Sequence, residues 1–350
     1  ENIDVHDGMA IGFYLVKGMN NLVLNCDAHD NYDGYSEGDS GNVDGFGGHA
    51  NKETSTGNIF RGCRAWNNGD DGFDLINCYA SYIIEYCWSF RNGYKPHSIE
   101  SSGGNGAGFK SGGYGMGDIK KVPNPIPQHT VRYCLAYYNR QQGFYSNHHL
   151  GGLIFENNTA YKNPSNYNML NRKSSNEAVD VPGYGHIIKN NLSLSPRNSG
   201  GFPQHLINVD NTLSEIKNNS FAPNDLNLSE SDFESLNEQE LMGSRKSDGS
   251  LPDINFLRLT NHANFRFSGM GCFINEEAVD YSWIQEPAIV LENGVARIVG
   301  EDSKSFNKFY VNGEEVSIEN GIVDLTSMSG ELNLKAISEN GAVTTLIINK

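Results

Sequence analysis

Four short stretches decide the fold. They are Leu22-Val23-Leu24-Asn25-Cys26-Asp27-Ala28, Ile59-Phe60-Arg61-Gly62-Cys63-Arg64-Ala65, Ile83-Ile84-Glu85-Tyr86-Cys87-Trp88-Ser89 and Thr130-Val131-Arg132-Tyr133-Cys134-Leu135-Ala136. Three more continue the frame with Asn in place of Cys: Ile154-Phe155-Glu156-Asn157-Asn158-Thr159-Ala160, Ile187-Ile188-Lys189-Asn190-Asn191-Leu192-Ser193 and Glu215-Ile216-Lys217-Asn218-Asn219-Ser220-Phe221. Counted from the Cys/Asn column, position −3 is apolar in all seven and position +2 is Ala or Ser in six. Position +5 is Asn31, Asn68, Asn92, Asn139, Asn163 and Asn224 in six, and Pro196 in the other.

The column recurs at steps of 37, 24, 47, 24, 33 and 28 residues. Short strands, Gly/Asn turns and a minimal step in the twenties predict a parallel β-helix, with the longer steps carrying loops. No coil of such a stack buries its own apolar face, so each needs its neighbours. Cys26, Cys63, Cys87 and Cys134 then form a ladder of small side chains inside the stack and are expected reduced and buried. A thiolate metal site lacks support because no C-x-x-C spacing occurs. Asn157, Asn191 and Asn218 begin N-x-S/T triplets, but they lie inside the frame and are better explained as ladder residues than as glycosylation sites.

Composition bounds the rest. The 350 residues carry 26 Lys+Arg against 42 Asp+Glu, a formal charge of −16, which argues against nucleic acid as a partner. No apolar run approaches the roughly 20 residues of a membrane span. The expected organisation is a β-helix over residues 1–225, a strap over 226–282 that packs back on it, and a small β-hairpin module over 283–350. In that last region Asn-Gly occurs at Asn293-Gly294, Asn312-Gly313, Asn320-Gly321 and Asn340-Gly341, each between strand-like runs. The repeat is already running at Ile3 and Val5, so upstream coils are expected to be missing.

A second column carries chemistry. Gly-Phe recurs at Gly12-Phe13, Gly45-Phe46, Gly72-Phe73, Gly108-Phe109 and Gly143-Phe144. The phenylalanines read as an inward stack. One place before Gly stand Ile11, Asp44, Asp71, Ala107 and Gln142; one place after Phe stand Tyr14, Gly47, Asp74, Lys110 and Tyr145. Asp44 and Asp71 therefore align on adjacent coils, with Asp70 and Asp74 beside the second. Asp74 and Lys110 share the other column. Turn formation explains the Asp70-Asp71-Gly72 pair but not the register of Asp44 with Asp71. Four carboxylates so close repel unless a cation sits among them. An all-oxygen, carboxylate-rich donor set fits Ca²⁺ better than Zn²⁺ or Mg²⁺.

A hard cation beside one lysine suits proton abstraction from a carbon next to a carboxylate. On a uronic acid, loss of the C5 proton expels the 4-linked sugar by β-elimination. An ordinary lysine, with a pKa near 10.4, is a poor base at neutral pH; a cation and desolvation would lower its pKa and Asp74 would raise it.

These residues resemble polysaccharide lyase family 9. The motifs that carry the resemblance are Asp44-Gly45-Phe46-Gly47, Arg64-Ala65-Trp66, Asp70-Asp71-Gly72-Phe73-Asp74 and Gly104-Asn105-Gly106-Ala107-Gly108-Phe109-Lys110, supported by Asn157-Asn158-Thr159-Ala160-Tyr161-Lys162-Asn163 and Leu251-Pro252-Asp253. They span about residues 10–260 and leave 283–350 outside. The resemblance implies a right-handed parallel β-helix, Ca²⁺ held by Asp44, Asp70, Asp71 and Asp74, and Lys110 as the Brønsted base. It also implies cleavage of pectate or of the galacturonate–rhamnose backbone of rhamnogalacturonan-I; the chain is expected to be an exported monomer, secreted, periplasmic or at the cell surface.

The balance between those substrates leans narrowly to rhamnogalacturonan. The chain is acidic, while Lys95, Lys120, Lys121, Arg132 and Arg140 are joined near Lys110 by Tyr114, Tyr137, Tyr138 and Tyr145, which can stack on a deoxysugar. Two other classes stay open. Gly69-Asp70-Asp71-Gly72 is similar to the paired aspartates of β-helical polygalacturonases, yet of their Gly-His-Gly and Arg-Ile-Lys motifs only Gly185-His186-Ile187 occurs. A non-catalytic sugar-binding β-helix is the other.

Overall fold

In the computed structural model each coil of the chain makes three short strands, and the strands stack into three seven-stranded parallel sheets. The structure describes all residues except 36–39, 115–121, 198–203, 222–225, 274–286, 293, 301–302, 320, 340 and 350. Asn224, Lys120, Lys121, Asn293, Asn320 and Asn340 therefore lie outside the described residues. The chain divides into two compact units, Glu1–Leu259 with Met270–Ile274, and Thr260–Gly269 with Asn275–Lys350.

In the first unit the first sheet runs from Asp4–His6 to Leu192–Leu194, the second from Phe13–Leu15 to Leu206–Ile207 and the third from Leu22–Leu24 to Glu215–Lys217. The Cys/Asn column sits at the corner between the third sheet and the first. The residue just before it turns the chain there with positive φ: Asn25, Gly62, Tyr86, Tyr133, Asn157, Asn190 and Asn218, at φ of 51–65°. Asn and Gly accept that conformation readily, whereas Tyr86 and Tyr133 accept it because the flanking ladders hold them.

The ladders are continuous. Asn158, Asn191 and Asn219 pass amide hydrogen bonds of 3.0–3.1 Å from coil to coil. Asn31, Asn68, Asn92, Asn139 and Asn163 form a second ladder at 2.8–3.1 Å. These contacts satisfy amides that would otherwise be buried without partners. Cys26, Cys63, Cys87 and Cys134 are buried and free.

Inside the second sheet Phe13, Phe46, Phe73, Phe109, Phe144 and Tyr167 form a face-to-face stack with ring centroids 4.8–4.9 Å apart, the rung spacing of a parallel sheet. The preceding glycines are required. A Cβ on Gly72 would lie 2.0 Å from Ser89 Oγ and 2.8 Å from the Gly108 carbonyl. With Phe pointing inward, the next residue must point outward, which sets the column Tyr14, Gly47, Asp74, Lys110, Tyr145, Asn168, Ile207 on the outer face.

Residues 226–259 join the first unit. Arg64 on the first sheet pairs with Asp27 through Nε at 3.0 Å and Nη2 at 2.7 Å, and donates to the Leu241 and Gly243 carbonyls. Arg245 adds a contact to the same Asp27 at 2.6 Å. Phe256 sits edge-on to Tyr137, and Phe233, Leu241 and Leu257 are buried.

The second unit contains a three-stranded and a four-stranded antiparallel sheet around Ile289, Ala296, Phe309, Val323, Leu332, Leu334 and Ala336. Asn312 and Gly313, both at positive φ, close a two-residue hairpin between Phe306–Val311 and Glu314–Val316. One short α-helix among the described residues, Asn261–Arg266, belongs to this unit and lies in the stretch expected as a strap; Thr260 caps its N-terminus by accepting from Ala263 N. No helix among the described residues is long and apolar enough to cross a membrane.

Candidate active site

The coil register places Asp44 over Asp71 and Asp74 over Lys110. Asp71 N donates to Asp44 Oδ1 at 3.0 Å, and Lys110 pairs across the sheet with Asp74. All five side chains are buried: Asp44 is 1% exposed, Asp70 3%, Asp71 0%, Asp74 4% and Lys110 7%. Carboxylate oxygens of Asp44, Asp70 and Asp71 lie within 4.8 Å of one another. Asp74 is turned differently: its Oδ1 accepts from Ile76 N at 2.8 Å and its Oδ2 accepts from Lys110 Nζ at 3.0 Å. Lys110 Nζ donates equally to Asp71 Oδ2, also at 3.0 Å.

Backbone amides hold the carboxylates in place. Asp70 accepts from Asn42 N at 2.6 Å through one oxygen and from Asn105 N through the other. Asp71 Oδ1 accepts from Ala107 N at 2.6 Å. The Gly104-Asn105-Gly106 turn serves this purpose, because Gly104 has no room for a side chain beside Asp70. A Cβ there would lie 2.3 Å from the Gly69 carbonyl.

The electrostatics are unbalanced. Burial, then the charges of Asp74, Asp71 and Asp70, push the Asp44 carboxyl well above its ordinary value. Burial pushes Asp71 up to about 8 against the opposing pull of Lys110. Burial also works to lower Lys110, but Asp71, Asp74, Asp44 and Asp70 outweigh it and hold the ammonium well above the usual lysine range. Four buried carboxylates around one ammonium are a donor set short of positive charge. A further hard cation would supply it, and the residues therefore fit a carboxylate-bound divalent ion.

The surroundings of Lys110 differ from the expectation. Tyr114 and Tyr137 are buried; Tyr114 donates to the Cys78 carbonyl and Tyr137 packs on Phe256, so neither offers a face to a sugar. Arg132 is on the third sheet and pairs with Glu85 at 2.6 Å. Lys95 pairs with Glu100, and Arg140 donates to the Gly104 carbonyl. Tyr138 lies under the guanidiniums of Arg197 and Arg91, at 3.9 and 5.3 Å from its ring centroid. Of these residues, only Tyr145 stands in the Lys110 column.

Two neighbours escaped sequence reasoning. His49 directs Nε2 to 3.9 Å from Asp74 Oδ2, and that buried nitrogen has no hydrogen-bond partner among the described residues. Burial, with help from Lys110 and against Asp74, lowers its pKa. His148 meets Tyr145 and also pairs with Asp180, which comes from an inserted hairpin. The Tyr145 column was visible in the repeat, but nothing in the repeat marks position 180.

Known proteins share this architecture. Residues 1–215 match the family model described as Pel9A-like, right handed beta helix region, and residues 210–345 match one described as rhamnogalacturonan lyase-like, C-terminal. The second match takes in residues 283–345, most of the stretch that the sequence motifs had left outside the resemblance. Pectate lyase L of Dickeya chrysanthemi is 34% identical over 283 residues, covering 81% of this chain and 58% of the relative. A solved rhamnogalacturonan lyase is 56% identical with a TM-score of 0.73, covering 78% of this chain and 65% of that one. The crystal structure of pectate lyase Pel9A is 31% identical with a TM-score of 0.62, covering 79% and 65%. The chain thus spans roughly three-fifths of the length of these relatives.

Proposed function

The chain belongs to the Pel9A-like right-handed β-helix family, and from that premise we propose that it is a polysaccharide lyase that opens a galacturonate-containing pectic backbone by β-elimination. The observation that carries the proposal is the charge deficit: four buried carboxylates share a single lysine whose amine reaches the outer face of the second sheet. Asp44, Asp70 and Asp71 are the groups that would hold Ca²⁺, with Asp74 alongside. When bound there, the ion would neutralise a uronate carboxylate and draw electron density from its C5 carbon.

The chain's own residues do the rest. Lys110 Nζ takes the C5 proton, the C5–H electron pair forms the C4=C5 double bond, and the C4–O4 bond breaks with its electrons on the departing sugar. Asp71 and Asp74 fix the amine at 3.0 Å each. They are also groups offered to the cation, so the charge on the lysine depends on how they are engaged. Only the neutral amine accepts a proton. Activity is therefore expected to rise with pH and to peak on the alkaline side.

We place the substrate narrowly on the side of rhamnogalacturonan-I. The 56% identical structure named rhamnogalacturonan lyase and the C-terminal family model support that choice. Relatives named pectate lyase are 29–34% identical. A polymer substrate of this size implies an exported protein, and the proposed working form is a monomer.

Absorbance near 235 nm on both polymers tests the proposal. A lyase creates an unsaturated uronide and a rising signal, faster on rhamnogalacturonan-I than on polygalacturonate. Release of new sugar ends without that signal would identify a hydrolase, and neither response would leave a binding module.

A further inference from the structure

We infer that Tyr145, oriented by His148 and Asp180, is a substrate-positioning residue that accepts a hydrogen bond from a hydroxyl of the sugar chain beside Lys110. The inference rests on the lyase reading above. Three observations carry it.

The first is register. Lys110 and Tyr145 are Cα partners on adjacent rungs of the second sheet, about 4.8 Å apart. Both point to the outer face, because Phe109 and Phe144 point inward and stack. A polysaccharide that runs along the stack with its C5 hydrogen at Lys110 passes Tyr145 on the far side from Asp74.

The second is a directed hydrogen-bond chain. His148 Nδ1 lies 2.6 Å from Asp180 Oδ1, and His148 Nε2 lies 2.9 Å from Tyr145 Oη. A carboxylate only accepts, so Asp180 assigns the ring proton to Nδ1. When the ring carries that one proton, Nε2 is an acceptor and Tyr145 O–H donates to it. The phenol donor is used up inside the protein, which leaves its oxygen lone pairs for an incoming donor. A sugar hydroxyl is a donor and a uronate carboxylate is not, so Tyr145 selects the hydroxyl-bearing edge of the sugar and leaves the carboxylate to the cation side.

The third is backbone conformation. Asn147 and His148 are consecutive non-glycine residues in the left-handed region, at φ of 53° and 56°. Two such residues in a row are costly. They fold the chain back so that the His148 ring returns to Tyr145, 5.9 Å between centroids and nearly perpendicular. Arg172 Nε, 3.9 Å from Asp180, supports the far end of the chain.

General-acid chemistry fits this tyrosine less well. In galacturonate the C5 hydrogen and O4 are both axial, on opposite ring faces. Lys110 and Tyr145 rise from the same outer face of the second sheet, so Tyr145 is poorly placed to protonate an oxygen leaving from the other face of the sugar ring.

The experiment measures binding without turnover. Rhamnogalacturonan and oligogalacturonate oligosaccharides are titrated calorimetrically into Lys110→Arg protein, with Tyr145→Phe, Asp180→Asn or both added. Tyr145→Phe is expected to weaken binding of the better ligand by roughly 5–30-fold, as for loss of one oriented hydrogen bond. Asp180→Asn is expected to weaken it by a smaller factor, and to add nothing once Tyr145 is replaced, because it acts only through that hydroxyl. Ca²⁺ affinity and Tm stay unchanged. Binding within twofold of the parent in Tyr145→Phe overturns the inference, as does an Asp180→Asn effect that persists undiminished in the Tyr145→Phe background. Absence of binding by the parent also overturns it. Failure of the wild-type chain to yield the 235 nm product instead removes the lyase reading, whatever the titrations show.

Discussion

Two clusters of buried charge sit on adjacent faces of the same coils, and they are built oppositely. On the first sheet, Asp27 stands alone between the guanidiniums of Arg64 and Arg245. Burial works to raise its pKa, yet the two arginines outweigh burial and lower it. On the second sheet, Asp44, Asp70, Asp71 and Asp74 share only Lys110, and Asp44 and Asp71 are driven upward. The first cluster is complete within the chain and ties residues 226–259 to the helix. The second lacks matching positive charge within the chain, and we propose that a cation from outside completes it. Burial alone therefore does not distinguish the two clusters; the sum of their charges does.

The contrast can be broken by single substitutions. The largest effect is expected at Lys110. Arginine keeps the charge and reach but stays protonated at any workable pH. Lys110→Arg should therefore lower turnover by at least the roughly 10²–10⁴ assigned to a general base, with Tm and Ca²⁺ affinity little changed. Turnover within tenfold of wild type would exclude Lys110 as the base.

Next in size is Asp27→Ala, which leaves two guanidiniums without their carboxylate and should cost about 3–5 kcal/mol in denaturant unfolding. Asp44→Asn, measured with chelator present, should do the reverse. Removing one of four repelling carboxylates is expected to raise stability by about 1 kcal/mol while weakening Ca²⁺ binding. Equal destabilisation by the two substitutions would erase the distinction drawn between the clusters.

A pH effect is expected from a third group of buried residues. His149 and His186 are fully enclosed, and burial lowers both to about 4. In the unfolded chain each titrates near 6.5, so between those values the unfolded state binds more protons. Their contribution is complete above about pH 6.5 and is lost as pH falls toward 4, up to about 3 kcal/mol for each. Unfolding midpoints recorded from pH 7 to pH 4 should fall steeply, and replacing His149 by Asn should flatten the slope.

The repeat carried much of this in plain view. A two-residue period within strands and a step in the twenties between coils put Asp44 over Asp71 and Asp74 beside Lys110. The structure has that register because the Phe stack and the Asn ladders allow no slip. What the repeat could not carry lies off it. Arg245 reaches Asp27 across 218 residues of sequence, and Asp180 reaches His148 from the hairpin of Asn171–Ser174 and Glu177–Val181. Tyr114 and Tyr137 misled for another reason. An aromatic side chain near a groove in sequence can face the core or a covering segment, and both of these do.

Everything proposed for the second-sheet cluster depends on its being completed by one divalent cation. Calorimetric titration of the chelator-treated chain with Ca²⁺, followed by the 235 nm assay on the same sample, decides the matter. The expected result is one Ca²⁺ per chain, a rise in Tm equivalent to about 2.7 kcal/mol at a hundred times Kd, and recovery of an activity lost to chelation. Asp71→Ala is expected to show none of the three. Full activity in excess chelator, or normal Ca²⁺ binding by Asp71→Ala, would mean that the four carboxylates are not a cation site.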